Sequence, residues 1–519
     1  MIAPRPAYPR PEPPSLQALR PSFLLLILAV LAALAGCRKD LQFTEDGVEL
    51  DFSRDTVLFD TVFTTVGTTT KAFTVRNPSK NAVKVDIALE GGSPSPFRIN
   101  VDGASGLSFE DVEILGEDSI FVFVEATLGA GGVNTPFIIE DHILFNTNGN
   151  QQQVLLTAWG QDAHFYRPDR AIPGLPPFSF IAGGGQPGPN GELQRLCESV
   201  TWPNDKPYVI YGYAVVDSCS TLIIEPGVRV YVHGGGGLWV YRYGRIEAIG
   251  TSDDRITFQG DRLEPEYQDV PGQWERIWIN DGGLGEDNVF RNVDIRNALV
   301  GIQCENFPGY PNAPTSEAKL VLDKVSIRDC SAAGILSRNY RITCTNSLIA
   351  DCGQYNVVLS GGGQYDFNFT TIANYWNVGG AVRTTPAFIM TNTYEDLVNG
   401  VLQVREILPS TFRNGIIEGY NTKEFQVSLD PGNTAAYTFT HHVIRTDEPT
   451  NDPDHFPIQS SIWRNQSPGF ASAGEGDFHL GGANAFAVDK GLAGTGVFDD
   501  LESGPRDASP DLGCYEFVP

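Results

Sequence analysis

From residue 47 to about 162, apolar side chains alternate with polar ones at period two. Val83, Val85, Ile87 and Leu89 interleave with Lys84, Asp86 and Ala88, and Ile120, Val122 and Val124 recur in the same way. This alternation predicts strands with one face in a core and the other in water. Asn148-Gly149 stands between Ile143-Leu144-Phe145 and Val154-Leu155-Leu156, and that dipeptide tolerates the positive φ of a tight hairpin. Roughly seven such runs predict a sandwich of two antiparallel sheets over 47–165.

A second pattern follows. Asn292-Val293-Asp294-Ile295-Arg296-Asn297, Lys324-Val325-Ser326-Ile327-Arg328-Asp329, Asn346-Ser347-Leu348-Ile349-Ala350-Asp351 and Thr370-Thr371-Ile372-Ala373-Asn374 echo one another. Ile327 to Ile349 is 22 residues, Ile349 to Ile372 is 23, and Ile295 to Ile327 is 32, one unit plus an insertion. Short β-runs repeating at this spacing predict coils that stack on copies of themselves. Three strands per coil give inward columns. One holds Ile224 and Ile246, a second Phe258, Ile295, Ile327, Ile349 and Ile372, and a third Val240, Ile279, Ile302, Ile335 and Val357. Ile372 to Ile417 is 45 residues, which reads as two further units.

These patterns divide the chain into a tether at 37–46, the sandwich at 47–165 and a Pro/Gly linker at 166–192. Coils follow at 193–467, with a closing coil and cap at 468–519. The coils resemble a right-handed parallel β-helix, so the expected class is all-β: an immunoglobulin-like β-sandwich followed by a right-handed parallel β-helix.

Composition adds an address. Lys plus Arg total 36 against 63 Asp plus Glu, a net charge of −27. That excess argues against nucleic-acid partners and against electrostatic docking on anionic lipid. Arg5, Arg10 and Arg20 precede the apolar run 23–35, which is too short to span a bilayer and of the right length for a secretory signal. The long Pro-rich leader leaves the true start codon open. Leu34-Ala35-Gly36-Cys37 resembles the lipobox of bacterial lipoproteins, in which the Cys takes a diacylglyceryl group; an ordinary signal cut after Ala33-Leu34-Ala35 is the alternative. On the lipobox reading, residues 1–36 are a signal peptide and Cys37 is lipidated. The protein is then exported and held on the outer membrane at the cell surface, with the membrane a partner through its anchor.

Further resemblances support that setting. Phe73-Thr74-Val75-Arg76-Asn77-Pro78-Ser79 resembles immunoglobulin-like modules that precede β-helices in Gram-negative surface lipoproteins. Pro468-Gly469-Phe470, Asp477-Phe478-His479-Leu480, Ala487-Val488-Asp489-Lys490-Gly491, Gly504-Pro505-Arg506 and Pro510-Asp511-Leu512-Gly513-Cys514-Tyr515-Glu516 resemble the closing segment of choice-of-anchor β-helix proteins. Those proteins usually carry Ile and Ala where this chain has Leu512 and Cys514. The resemblance implies architecture and carries no assigned chemistry.

Candidate chemistry is sparse. Asn297, Asp329, Asp351 and Asn374 share one place in their coils, either as an oxygen ladder for calcium or as corner residues in left-handed backbone; the corner reading is preferred. Cys330 and Cys352 should stack in adjacent coils as buried thiols or as a disulfide, and Cys197 with Cys219 would pin the first coil if joined. Arg506 reads as an ion-pair lock with Asp489 or Asp511.

With Leu238, Val240, Ile277 and Ile279 inward, Trp239, Tyr241, Trp274, Arg276 and Trp278 point outward. Trp239 and Trp278 should stand in one column, since they are offset by the same 39 residues as Val240 and Ile279. Aromatic rings beside an Arg suit contact with sugar rings, and burial under the sandwich or an inserted loop is the competing reading. Hydrolytic β-helices of the polygalacturonase kind carry Asn-Thr-Asp, Gly-His-Gly and Arg-Ile-Lys motifs that this chain lacks, so no catalytic residue is assigned.

The reading is a structural or adhesive envelope protein contacting polysaccharide or envelope proteins. The alternative is a carbohydrate-active enzyme, lyase before hydrolase.

Overall fold

A computed structural model describes residues 42–64, 67–129, 137–187, 193–306, 314–380, 383–396 and 400–518. Cys37 and the signal run lie outside these residues. The chain forms two compact units, one of residues up to 58 with 68–126 and 140–157, the other of 59–67, 127–139 and 158–519.

The alternating pattern of the first unit becomes two five-stranded sheets. One runs in the order Asp51–Phe52, Lys71–Arg76, Ser119–Ala126, Phe97–Val101, Ala104–Gly106, and the other Thr56–Phe63, Asn150–Gln161, Phe137–Thr147, Val83–Leu89, Ser108–Ile114. Val83, Val85, Ile87, Val122 and Val124 are fully buried. Phe145 of the second sheet lies 4.8 Å from Phe52 and 6.3 Å from Phe73 of the first, so the inner faces meet through aromatic contact. Asn148 and Gly149 both take positive φ, as the hairpin requires. The buried Asn77 amide donates to the carbonyls of Asn81, Ile114 and Leu115, so this residue of the Asn-Pro-Ser segment ties a turn together.

The second unit is built on one sheet of 23 strands, parallel in the pairings of its described residues and wound into a β-helix with three tracks of strands. The second predicted column holds residue for residue: Phe258, Ile295, Ile327, Ile349, Ile372 and Ile417 pair in succession, and all are buried. Burying an Ile contributes about 1.5–3 kcal/mol, and here each is covered above and below by its equivalents.

The other two columns are corrected by two residues. Ile246 stands on Leu222 rather than on Ile224, and Ile302 stands on Ile277 rather than on Ile279, which meets Cys304. A slip of two preserves the face, so burial patterning cannot detect it. The 45 residues from Ile372 to Ile417 are a single coil, because the antiparallel arm Thr393–Asp396 with Val401–Val404 is inserted within it.

The helix also begins earlier than predicted. His164–Tyr166 pairs with Tyr208–Ile210, and Phe178–Ala182 with Tyr213–Val216, so much of the expected linker is the first coil. The flanking Pro and Gly shape the turn between these strands and mask the apolar run Phe178-Ser-Phe-Ile-Ala. Cys197 and Cys219 are joined, with Cα atoms 5.0 Å apart, closing the coil that follows.

Residues 468–518 do not close the end of the solenoid. They lie as a strap across the outer face of the track that carries the Ile column. Phe478, Leu501 and Cys514 pack on Leu348, Ala350 and Ala373, while Leu480, Ala487 and Leu512 pack on Ile416 and Val443. Hydrogen bonds follow the same path: Gly513 N–H donates to Asn414 O, and Cys514 N–H to Thr371 Oγ1.

Arg506 locks the strap with a partner other than those predicted. Its guanidinium meets Glu516 at 2.9 Å, donates to Asn346 Oδ1 and to the carbonyls of Asp499 and Gly513, and lies 3.9 Å from the Phe369 ring centre. Asp511 and Asp489 bond to each other instead, Asp511 Oδ1 accepting from the Asp489 N–H.

Both Arg506 and Glu516 side chains are almost wholly buried. Arg506→Met should therefore strand the Glu516 carboxylate and destabilise the strap by about 3–5 kcal/mol. The expected readout is faster hydrogen exchange and protease cleavage within 498–516. Arg506→Met with Glu516→Gln should recover part of the protection, since no charge is then left unpaired.

Candidate binding surface

Each coil turns at single residues in left-handed backbone. On one side of the Ile strands these are Asn292, Lys324, Asn346, Phe369, Asn414 and His441, and on the other Asn297, Asp329 and Asp351. Asn and Asp reach that region at low cost, which explains three of the four predicted corner residues. Asn374 is different. It is buried without positive φ, and its amide donates to Cys352 O. The Asn297 amide holds the 260–273 insertion through the carbonyls of Gln268 and Val270. Leu263 of that insertion packs with Phe63, Val209 and Tyr231.

Asp329 and Asp351 sit one coil apart, next to the paired residues Arg328 and Ala350. Burial pushes each carboxyl up to about 6, against the pull of the Arg328 charge, and for Asp329 the Asp351 charge adds to the rise. Asp351 Oδ1 accepts the Tyr375 N–H at 2.7 Å. Cys330 and Cys352 are buried thiols in adjacent coils, and burial with their mutual contact raises Cys352 well above the ordinary thiol value. Such thiols are poor nucleophiles.

On the track that follows in the chain lies the aromatic stripe. Trp239 pairs with Trp278 in register, as the shared 39-residue offset requires, and the indoles stack with centroids 4.6 Å apart and planes at 13°. Trp239 is 3% exposed and donates its N–H to Asn280 Oδ1. Tyr241 meets it edge-on at 5.5 Å, and Phe178, Tyr213 and Val215 complete the cluster. Trp278, Tyr241 and Arg276 are half-buried.

Trp274 is a correction, for it lies inside the solenoid core at 1% exposure with its N–H on Arg296 O. The alternation breaks between Arg276 and Ile277, where the neighbouring coil inserts one extra residue, Gly301. Trp274 and Ile277 face inward three apart instead of two, so this strand departs from strict alternation beside the register shift.

Beneath the stripe is a polar network that the sequence reading did not find. Glu305, 3% exposed, accepts from Trp278 Nε1 at 2.8 Å, Gln303 Nε2 at 2.7 Å and Arg338 Nη1 at 2.8 Å. Arg276 donates to Gln303 and to Glu275. The signal was present: Gln303 and Glu305 end an otherwise apolar strand, Ala298–Glu305, where buried polar groups must find partners.

In sum, the geometry joins Trp239, Tyr241 and Trp278, sets Arg276 beside them and removes Trp274 to the core.

No protein-family model and no curated protein sequence matches the chain. Among solved structures, the Escherichia coli chaperone DraB is similar at 11% identity, with a TM-score of 0.17, over 23% of this chain and 58% of that one. A family 123 glycoside hydrolase from Clostridium perfringens is similar at 8% identity, with a TM-score of 0.16, over 23% and 30%. The chain thus spans less than two thirds of either, and likenesses this slight carry no argument about function.

The raised carboxyls have a definite consequence for stability. Between the ordinary Asp value of 3.8 and about 6, folded Asp329 keeps a proton that the unfolded chain has lost. Stability on its account is therefore greatest below that window and falls as pH rises through it. Asp329→Asn, which suits the left-handed corner, should unfold at higher urea than the parent at pH 7. The two should converge near pH 4, as measured by urea titrations across that range.

Proposed function

We propose that this chain is a lipid-anchored cell-envelope protein that presents its β-helix as a rigid surface for structural or adhesive contact. One observation carries the reading: a continuous sheet of 23 strands, with a disulfide in its early coils and a buried ion pair holding a strap across its later ones. Parallel pairing along the whole length makes each coil the template for the next, which favours a stiff solenoid over a hinged enzyme cleft.

Along the Trp239–Trp278 stripe, large aromatic and charged groups are committed to one another. Trp239 and Trp278 stack face to face, while Arg276, Gln303, Glu305 and Arg338 form a connected network. These are the features of a braced wall. The lipobox-like Leu-Ala-Gly-Cys sequence at 34–37 supplies the anchor in this reading.

Expression in a Gram-negative host with an alkyne fatty acid should label the parent and leave Cys37→Ser unlabelled. Protease added to intact cells should then remove the parent's soluble portion. Label on Cys37→Ser would refute the anchor, and resistance of the intact-cell protein with susceptibility after lysis would refute surface display.

A further inference from the structure

We propose that the outer face of the sandwich sheet carrying Ser119–Ala126 binds a neutral polysaccharide. On that strand Phe121 and Phe123 point away from the core, 53% and 38% exposed, with ring centroids 6.1 Å apart and planes at 24°. The residues between and beside them, Ile120, Val122 and Val124, are buried, so the alternation that builds the core also sets both rings on the water side. Large apolar side chains paired on a solvated sheet face are uncommon without a partner.

Phe123 also forms part of a groove of about 630 Å³ whose lining includes Thr70, Arg98, Asn100, Ser105 and Glu125. Register explains the grouping: Asn100 pairs with Phe123, and Arg98 with Glu125, on the neighbouring strand. The polar groups are held in place before any ligand arrives. The Asn100 amide donates to Ser105 Oγ at 3.0 Å, and its carbonyl accepts the Gly103 N–H at 2.9 Å. Thr70 Oγ1 donates to Glu125 Oε1 at 2.6 Å, and Arg98 donates to the carbonyls of Ser95 and Phe97. Fixed side chains lose little conformational entropy on binding.

This surface offers flat apolar faces bordered by fixed hydroxyl, amide and carboxylate groups. A pyranose chain has the complementary make-up, with C–H faces that lie on rings and hydroxyl edges that take hydrogen bonds. The ligand's charge follows from two observations. Arg98 and Glu125 cancel within the groove, and a chain of net charge −27 repels a polyanion. A neutral polysaccharide fits both, and a uronate polymer does not.

The site lies within 70–125, in the first unit, and shares no residue with the reading above, and binding in solution does not depend on anchoring or display. The experiment is native gel electrophoresis of the full chain through gels containing laminarin, galactomannan or dextran, with alginate as the charged comparison. Retardation is expected in at least one neutral gel and absent with alginate. Phe121→Ala with Phe123→Ala should weaken it, by about tenfold per ring, with an unchanged melting temperature. Ser105→Arg, which fills the groove and leaves the rings, should weaken it as well. Leu284→Ser, at a residue 85% exposed on the β-helix, should migrate as the parent does. No retardation in any neutral gel, retardation by alginate alone, or full retention in the double Phe variant or in Ser105→Arg would overturn the proposal.

Discussion

Everything in the second unit depends on inward side chains standing directly on those of the coil beneath. A parallel solenoid has no other source of specificity, because each coil's backbone groups are satisfied only by the coils on either side of it. The Ile column from Ile295 to Ile417 is where that constraint is tightest, since β-branched side chains of one size repeat there and leave little room for another register. Insertions are tolerated wherever they leave this column intact. The arm at 393–404 and the loop at 260–273 both leave and rejoin the coil without displacing a member of it.

The same constraint explains what could be read in the chain and what could not. The alternating runs, the hairpin at Asn148-Gly149, the Ile column and the Trp239–Trp278 pairing were legible, because each rests on side-chain periodicity or constant spacing. The two-residue slips at Ile246 and Ile302 were not, since both registers bury the same face. The inward turn of Trp274 breaks the alternation within its own strand, beside a register shift with the next coil, and a strict period of two cannot reveal it. Phe178–Ala182 was hidden by its Pro and Gly neighbours, which mark a turn without saying what it connects. The strap shows the deepest limit. Its sequence announces a closing segment, but only packing shows that it lies along the side of the solenoid.

The strap answers a problem inherent to the fold. Sheet faces of a β-helix point outward as well as inward, and the track at Leu348, Ala350, Ala373, Ile416 and Val443 is too apolar to leave in water. Covering it with 50 residues of little regular structure leaves many backbone groups to satisfy. Corner residues provide partners: Asn414 serves both the Leu492 N–H and its carbonyl, and Asn346 accepts from Arg506. A buried Arg–Glu pair adds little net stability, yet it is sensitive to misplacement, so its natural contribution is to fix where the strap docks.

Aromatic side chains are used in two opposed ways, and the contrast bears on function. Trp239 and Trp278 stack along the coil axis, so each indole spends a face on its neighbour and its N–H on an internal acceptor. Such rings stiffen a wall and present mainly edges to solvent. Phe121 and Phe123 lie along one strand instead, and both remain open to water beside polar groups already fixed by internal bonds. Stacking on a ligand requires a free face. Ring orientation thus outranks ring identity: the larger indoles stack on each other in the solenoid, and the smaller phenyl rings of the sandwich leave more of their surface in water.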